Sequence, residues 1–474
     1  MSVLEVVFGI YFVLLFGLAW YGLRRTQDAS DYWIAGGKLG WLVGGSTIAA
    51  THASAGTFIG TIGVIYTVGW SFGWLVLSVP LAYWFMAAVL APRFTRFQEL
   101  TLPAYLDRRY ESRGVRGVSA VIIMVATVVF IQAQIVGGGL IANIVFGIPV
   151  TWGMVGFTAF LLAYTVVGGM VAVVYTDFIQ LLVMALGAVL AVPLAIRHIG
   201  SVDDVLVLSQ AINPDAFSWG ALPGTLLFTM GLAFMLGSVA TPEKLIRLYA
   251  MKDMRTIRRG ILFAVIAITV MNLLVFVTAL ASMVLFPALV SGDMAMPVVA
   301  RAVLPTFIGA IMLAAITSAM MSTVDSLLIV AGSALSHDIY QTLIHPESSK
   351  RSRVLVGRVG TFVVGTVPLI LLLSGVGEGE LIQFIVLLFT ALMGASFFIP
   401  VVLGVIWRRG TKHGAVAAMV GGVTVTFLWN SLGDPAIDPV LPGFLASAIL
   451  MVSVSLMTRP PSHETVERYF GDPA

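Results

Sequence analysis

Ser46-Thr47-Ile48-Ala49-Ala50-Thr51-His52-Ala53-Ser54-Ala55-Gly56-Thr57-Phe58-Ile59-Gly60 occupies the middle of an apolar run over residues 42–66. A polar side chain at that depth of a bilayer is costly and needs a partner. Small hydroxylated residues and two glycines gathered there are what a discontinuous membrane helix requires. Transporters place their sites on such breaks, where unwound carbonyls meet cations and half-helix ends meet substrate. Close helix packing is the competing reading, since small residues also let helices approach. Packing accounts for the Gly and Ala positions but poorly for His52 between Thr51 and Ser54.

Outward from this stretch the chain repeats the same kind of run. Thirteen apolar segments fall near 4–23, 42–66, 71–92, 117–146, 150–171, 174–196, 223–248, 260–286, 303–335, 355–375, 381–406, 413–431 and 441–458. The 474 residues are 59% hydrophobic and 10% charged, against about 25% charged in a soluble domain. The composition predicts one all-α polytopic membrane domain with no large soluble module. With no Cys there is no disulfide and no thiolate metal site or nucleophile. The 26 Lys and Arg fall on alternate sides of the runs, all but Arg197 and Arg301 on one side. That asymmetry predicts an N-terminus outside and a cytoplasmic C-terminus. The net charge of +3 thus reads as sidedness rather than affinity for nucleic acid. Residues 6–23, followed by Arg24-Arg25, read as a retained anchor rather than a cleaved signal. Residues 93–116 read as an interfacial helix, and the acidic residues of the opposite loops, Asp293, Glu378 and Asp438 among them, as an acidic mouth or simply as tolerated charge.

Three further segments carry chemistry. The seventh run breaks at Gly231, Phe234, Gly237, Ser238 and Thr241-Pro242, because proline removes a backbone donor. With the leading helix set aside, the broken runs are first and sixth, the corresponding positions of a five-plus-five inverted repeat. The ninth run carries Ala319-Met320-Met321-Ser322-Thr323-Val324-Asp325-Ser326. Helical spacing brings the hydroxyls of Ser322 and Thr323 close to the Ala319 carbonyl, and hard cations take oxygen ligands. Back-bonding to their own helix is the plainer use of such serines. Asp177 opens the sixth run, either as a carboxylate favoured by the helix dipole or as a cation ligand. Gln132 and Gln134 on the fourth run, with Thr51, His52, Ser54, Phe234 and Ser238, are the candidates for facing a substrate.

Together these segments resemble the sodium:solute symporter family. The resemblance rests on Asp31-Tyr32 through Gly36-Gly37, Ala50 to Gly60, and Gly168-Gly169 with Tyr175-Thr176-Asp177 and Gln180. It continues in Met321 to Ser326, Asp338-Ile339-Tyr340 and Trp407 to Gly414. It implies a LeuT-type five-plus-five inverted repeat with one leading and two trailing helices. The expected division is a leading helix at 4–23, repeats at 42–196 and 223–406, trailing helices at 413–458 and a cytoplasmic tail at 459–474. It implies a main sodium site on the carbonyls of Ala50, Ala53 and Ala319 with the hydroxyls of Ser322 and Thr323. A second cation site would use Asp177, Asp325 and Ser326 with Ser322. Asp325 stands where two-sodium members carry a hydroxyl, which either strengthens that site or makes it protonatable. His52 replaces an acidic residue of the proline branch and an aromatic one of the pantothenate branch. It is a candidate for contact with an anionic solute or for pH dependence, against a packing role.

The function expected is sodium-coupled symport of a small polar or anionic organic solute by alternating access. Proton coupling on the same fold, and a channel or membrane sensor, are the alternatives; no spacing suggests an enzyme. The implied partners are the solute, the sodium ion as coupling ion without other cofactor, and the lipid bilayer; the sequence fixes no oligomeric state.

Overall fold

The computed structural model describes residues 2–25, 35–97, 99–377 and 379–470. Asp31–Ile34 of the first family-like motif and Glu378 lie outside them. Among the described residues the chain is helical throughout, with a single isolated backbone bridge between Leu39 and Met251. Among the described residues ten helices are long and apolar enough to cross a membrane. The bent pair Trp41–His52 (α2) and Gly56–Val68 (α3) makes an eleventh crossing. The shorter apolar segments Val3–Leu18, within α1 (Val3–Arg25), and Val150–Ala163 complete the thirteen runs.

Helical hydrogen bonding runs without a gap from Val150 to Ile199 (fifty residues), which as one straight rod would be about 75 Å long. Its contacts show instead that it doubles back. Phe157 and Phe160 share an apolar cavity with Thr317, and Gly187 packs on Met312 and Ala315 of the same helix at nearly the same level. Thr165 donates to Asp325, while Asp177 is tied through Arg247 to the next residue, Ser326. These are two antiparallel crossings, as the hydropathy pattern predicts.

The remaining elements follow in order. Trp70–Phe97 (α4) and the short Leu102–Tyr110 (α5) lead to Arg113–Phe146 (α6). After the doubled Val150–Ile199 (α7) come Val202–Ile212 (α8), Gly224–Ala240 (α9) and Pro242–Ala250 (α10). Met254–Leu285 (α11), Ala295–Ala302 (α12) and Thr306–Ile344 (α13) precede Lys350–Leu373 (α14) and Ile382–Ile406 (α15). Lys412–Leu432 (α16), Val440–Met457 (α17) and His463–Phe470 (α18) end the chain.

The centre of the bundle is α13, buried on all faces over residues 312–334. The leading α1 is fastened to it where Ser318 donates to the Tyr11 hydroxyl (2.8 Å). The second broken span packs on α15 so closely that a side-chain carbon on Gly237 would meet the Thr390 carbonyl at 2.6 Å. That approach is a packing reason for glycine.

Two expectations change. Helix α5 turns its apolar residues into the protein rather than toward lipid: Leu102, Tyr105 and Leu106 are buried, and it seats against α15. There Tyr105 and Tyr110 donate to the carbonyls of Val401 and Pro400, and Arg109 to those of Gly404 and Trp407. Nor do Asp293 and Asp438 form an acidic mouth. Both are buried, accepting the backbone N–H groups that start α15 (Ile382, 3.0 Å) and α17 (Val440, 2.9 Å).

Candidate functional site

The break in the first broken span has a local cause at each residue. Ala53 leaves the helical region (φ −69°, ψ 128°) and α2 ends. In an unbroken helix the N–H groups of Ser54, Ala55 and Gly56 would go to the carbonyls of Ala50, Thr51 and His52. Here Ser54 N–H goes to the Thr57 hydroxyl (3.3 Å), Ala55 N–H to the Gln134 side-chain oxygen (2.8 Å) and Gly56 N–H to the Ser54 hydroxyl (3.1 Å). Thr57 N–H likewise turns to the Ser54 carbonyl (3.0 Å), so the carbonyls of residues 50–53 are released at the negative end of a helix. The second broken span does likewise: Thr241 has φ −72° and ψ 129°, within a few degrees of Ala53, and Pro242 has no N–H to return to Ser238.

The hydroxyls of α13 meet the released carbonyls. Ser322 Oγ lies 2.8 Å from the Ala50 carbonyl and 3.1 Å from that of Ala319. Thr323 Oγ1 lies 2.8 Å from Ala53, 3.0 Å from Ala319 and 3.2 Å from Thr51. Six oxygens thus converge, four of them carbonyls, and two hydroxyl protons cannot satisfy them. The cluster is fully buried and carries no formal charge. Oxygen-rich, proton-poor and placed at a helix C-terminus, it suits a hard monovalent cation. All five residues expected at a main sodium site are brought together here, and Thr51 joins them.

Of the three residues expected at a second cation site, Asp177 and Ser326 meet at a guanidinium, while Asp325 is bonded elsewhere. Asp325 accepts from Thr165 on α7. Asp177 accepts from Thr47 and from Arg247 Nη2 (3.1 Å), and that same nitrogen donates to Ser326 Oγ (2.5 Å). Arg247 Nε adds a bond to Thr47 (2.8 Å) and Nη1 one to the Glu243 carbonyl (2.5 Å). A guanidinium, buried with Asp177 as a salt bridge of zero exposure, already supplies positive charge there. Ser326 also donates to the Ser322 carbonyl (2.8 Å) and lies 3.1 Å from the Thr51 hydroxyl. The ion pair is therefore one hydroxyl away from the oxygen cluster.

Beside the two breaks lies a small cavity of about 60 Å³. Of the residues expected to face a substrate, Thr51, His52, Ser54, Phe234 and Ser238 line it. Gln132 and Gln134 do not; Gln134 holds the break open from behind, and Gln132 is buried nearby with its amide nitrogen unpartnered. His52 stands edge-on to Tyr83 (5.9 Å between ring centres), with Nδ1 unbonded. The cavity wall also includes Asn272, Gln383, Thr390, Glu243 and Lys244.

Glu243, Lys244 and Arg247 are residues that the sequence did not single out. Lys244 and Arg247 count there only among the Lys and Arg on one side of the runs, whereas both are buried inside the bundle on α10. The available signal was their position directly after Pro242, inside rather than beyond a break.

The sodium:solute symporter family model matches residues 32–422. The chain is 28% identical to the osmoregulated proline transporter OpuE of Bacillus subtilis (strain 168), covering 98% of this chain and 96% of that one. It is also 28% identical to the sodium/pantothenate symporter of Escherichia coli (strain K12), covering 94% and 95%. Among solved structures, a Na+-coupled sialic acid symporter in a substrate-bound outward-open state superposes with a TM-score of 0.85 at 19% identity, over 98% of this chain and 99% of that one.

Proposed function

The chain belongs to the sodium:solute symporter family and is a sodium-coupled solute symporter of the membrane, and we propose that its driving ion binds the oxygen cluster on Ala50, Ala53, Ala319, Ser322 and Thr323. The observation that carries the assignment is that two hydroxyls meet four carbonyls, three of them on residues 50, 51 and 53 beside the break. The cavity between the breaks holds a small organic solute, and binding of both ligands joins α2, α9, α10 and α13. Residues 42–196 and 223–406 form the two inverted repeats, with the N-terminus outside and the C-terminus cytoplasmic. An inside-negative potential then favours inward movement of each sodium by about 2.3 kcal/mol per 100 mV, roughly a fifty-fold accumulation. Asp177 and Arg247 act as a buried ion pair on the ion's exit path rather than as a second sodium site.

The test is uptake in proteoliposomes under imposed sodium or proton gradients, with Ser322→Ala/Thr323→Ala beside the parent. The double variant keeps its fold, since losing each hydroxyl costs about 1 kcal/mol, and needs at least ten-fold more sodium for half-maximal uptake. Unchanged sodium dependence removes the cluster from the coupling mechanism.

A further inference from the structure

Glu243 and Lys244 are consecutive residues in the first turn of α10, and both side chains reach the cavity. Glu243 is 2% and Lys244 6% exposed. Among the described residues neither side chain has a hydrogen-bond or ion-pair partner, and Glu243 Oε2 is fully enclosed without one. An isolated buried charge is among the costliest features a protein can keep. Two of opposite sign, side by side yet unpaired, form a site of zero net charge with two unsatisfied poles. Other fixed charge close by is already matched, because Arg247 is paired with Asp177.

We propose that Glu243 and Lys244 are the recognition pair for a small zwitterion of free amino-acid type, its carboxylate on Lys244 and its ammonium on Glu243. This deepens the reading of the cavity as the solute site and rests on it. A net-neutral ligand carrying both charges satisfies both poles. A monoanion leaves Glu243 unpaired and adds like-charge repulsion, and a neutral polyol leaves both poles unmatched. The N-terminal, positive end of the α10 dipole adds favourable potential for the carboxylate. The body of the ligand meets an apolar wall, in which Phe130 and Phe389 stack (4.4 Å, 9°) beside Phe234. The unbonded Ser238 hydroxyl and His52 Nδ1 are further donors or acceptors for it.

The experiment uses the full-length protein purified in detergent and follows its apparent melting temperature with and without sodium. The probes are the twenty common amino acids and glycine betaine as zwitterions, pantothenate, lactate and acetate as monoanions, and glucose and inositol as neutral solutes. A shift produced by one or more amino acids and by no monoanion or neutral solute is the expected result. For the best amino acid, its methyl ester, which lacks the carboxylate, and its N-acetyl derivative, which lacks the ammonium, each bind at least ten-fold more weakly. Lys244→Gln then narrows the gap between the amino acid and its ester, and Glu243→Gln the gap to the N-acetyl form. The derivative series on the parent protein needs no variant, so a folding defect does not block the test. A stabilising monoanion or sugar overturns the proposal, as do derivatives that bind as well as the parent amino acid. A sodium shift with no amino-acid shift overturns it too. Amino-acid binding without any effect of sodium supports it and overturns the assignment of the ion cluster instead.

Discussion

The two broken spans share a backbone and differ in charge. At Ala53 and Thr241 the φ and ψ angles agree within a few degrees, so each span leaves the helix in the same way, the first re-entering it after residues 53 and 54 and the second after 241 alone. The first break then works with partial charges only. Gln134 and the hydroxyls of Ser54 and Thr57 take the N–H groups, and the freed carbonyls face Ser322 and Thr323. The second break is followed at once by three full charges, Glu243, Lys244 and Arg247, on nine residues of helix. A neutral oxygen cage suits an ion that must bind and leave in every cycle. Full charges in a low-dielectric interior need counter-charges, and among the described residues only Arg247 of the three has one.

Removing that counter-charge produces the largest effect. Arg247→Met leaves Asp177 buried as an unpaired carboxylate, at a cost of about 3–5 kcal/mol. The variant should melt far below the parent or fail to fold. Arg247→Met/Asp177→Asn removes both charges and recovers most of the loss. If the single variant melts with the parent, the pair is not buried as the structure has it. Asp177→Asn alone sharpens the comparison: charge moved per solute stays the same in reconstituted flux measurements. A drop in that ratio would return Asp177 to the role of a sodium ligand.

Much of the first break was legible because its polar residues interrupt an apolar run, and hydropathy registers them directly. Ser322 and Thr323 were legible from helical spacing from Ala319, with the family resemblance naming the carbonyls across from them. Tertiary partners were not. Gln134 was read as facing a solute, yet which side of α6 meets the break depends on packing that no local pattern encodes. Asp177 and Arg247 are 70 residues apart, and nothing in either neighbourhood announces the other. Lys244 and Arg247 read only as charge at the inner end of an apolar run, because charge there ordinarily means water. Here Pro242 ends the first half of the span, and the charged half lies within the bundle.

An intermediate effect tests how the first break makes its cage. Gln134→Met removes the acceptor for Ala55 N–H without changing side-chain bulk greatly. The orphaned donor then competes for the Thr51 carbonyl, a penalty of about 1–3 kcal/mol. Sodium affinity should fall by roughly five- to a hundred-fold, read as the sodium concentration that half-stabilises the purified protein. Amino-acid binding at saturating sodium changes far less. Equal losses in both would mean that Gln134 supports the fold generally rather than the ion cage.

The smallest effect concerns two loop carboxylates, one attached to each broken span. Asp293 lies against Gly63 of α3, and the Asp438 backbone N–H bonds to Thr229 of α9 (2.9 Å). Burial raises Asp293 to about 6 and Asp438 to about 7, while the N–H groups of Ile382 and Val440 oppose the rise. The unfolded chain releases these protons near the ordinary aspartate value of about 3.9. Because both folded values are raised, the associated stability is fully present below that value and is lost as pH rises through 6 and 7. The parent should therefore melt higher at pH 5 than at pH 8. Asp293→Asn and Asp438→Asn keep an oxygen for the backbone N–H but cannot ionise, so each flattens part of that slope. The part lost with Asp293 ends near pH 6 and that with Asp438 near pH 7. Melting curves in which both variants keep the parent's full pH slope would show that neither carboxylate is buried in its ionised form.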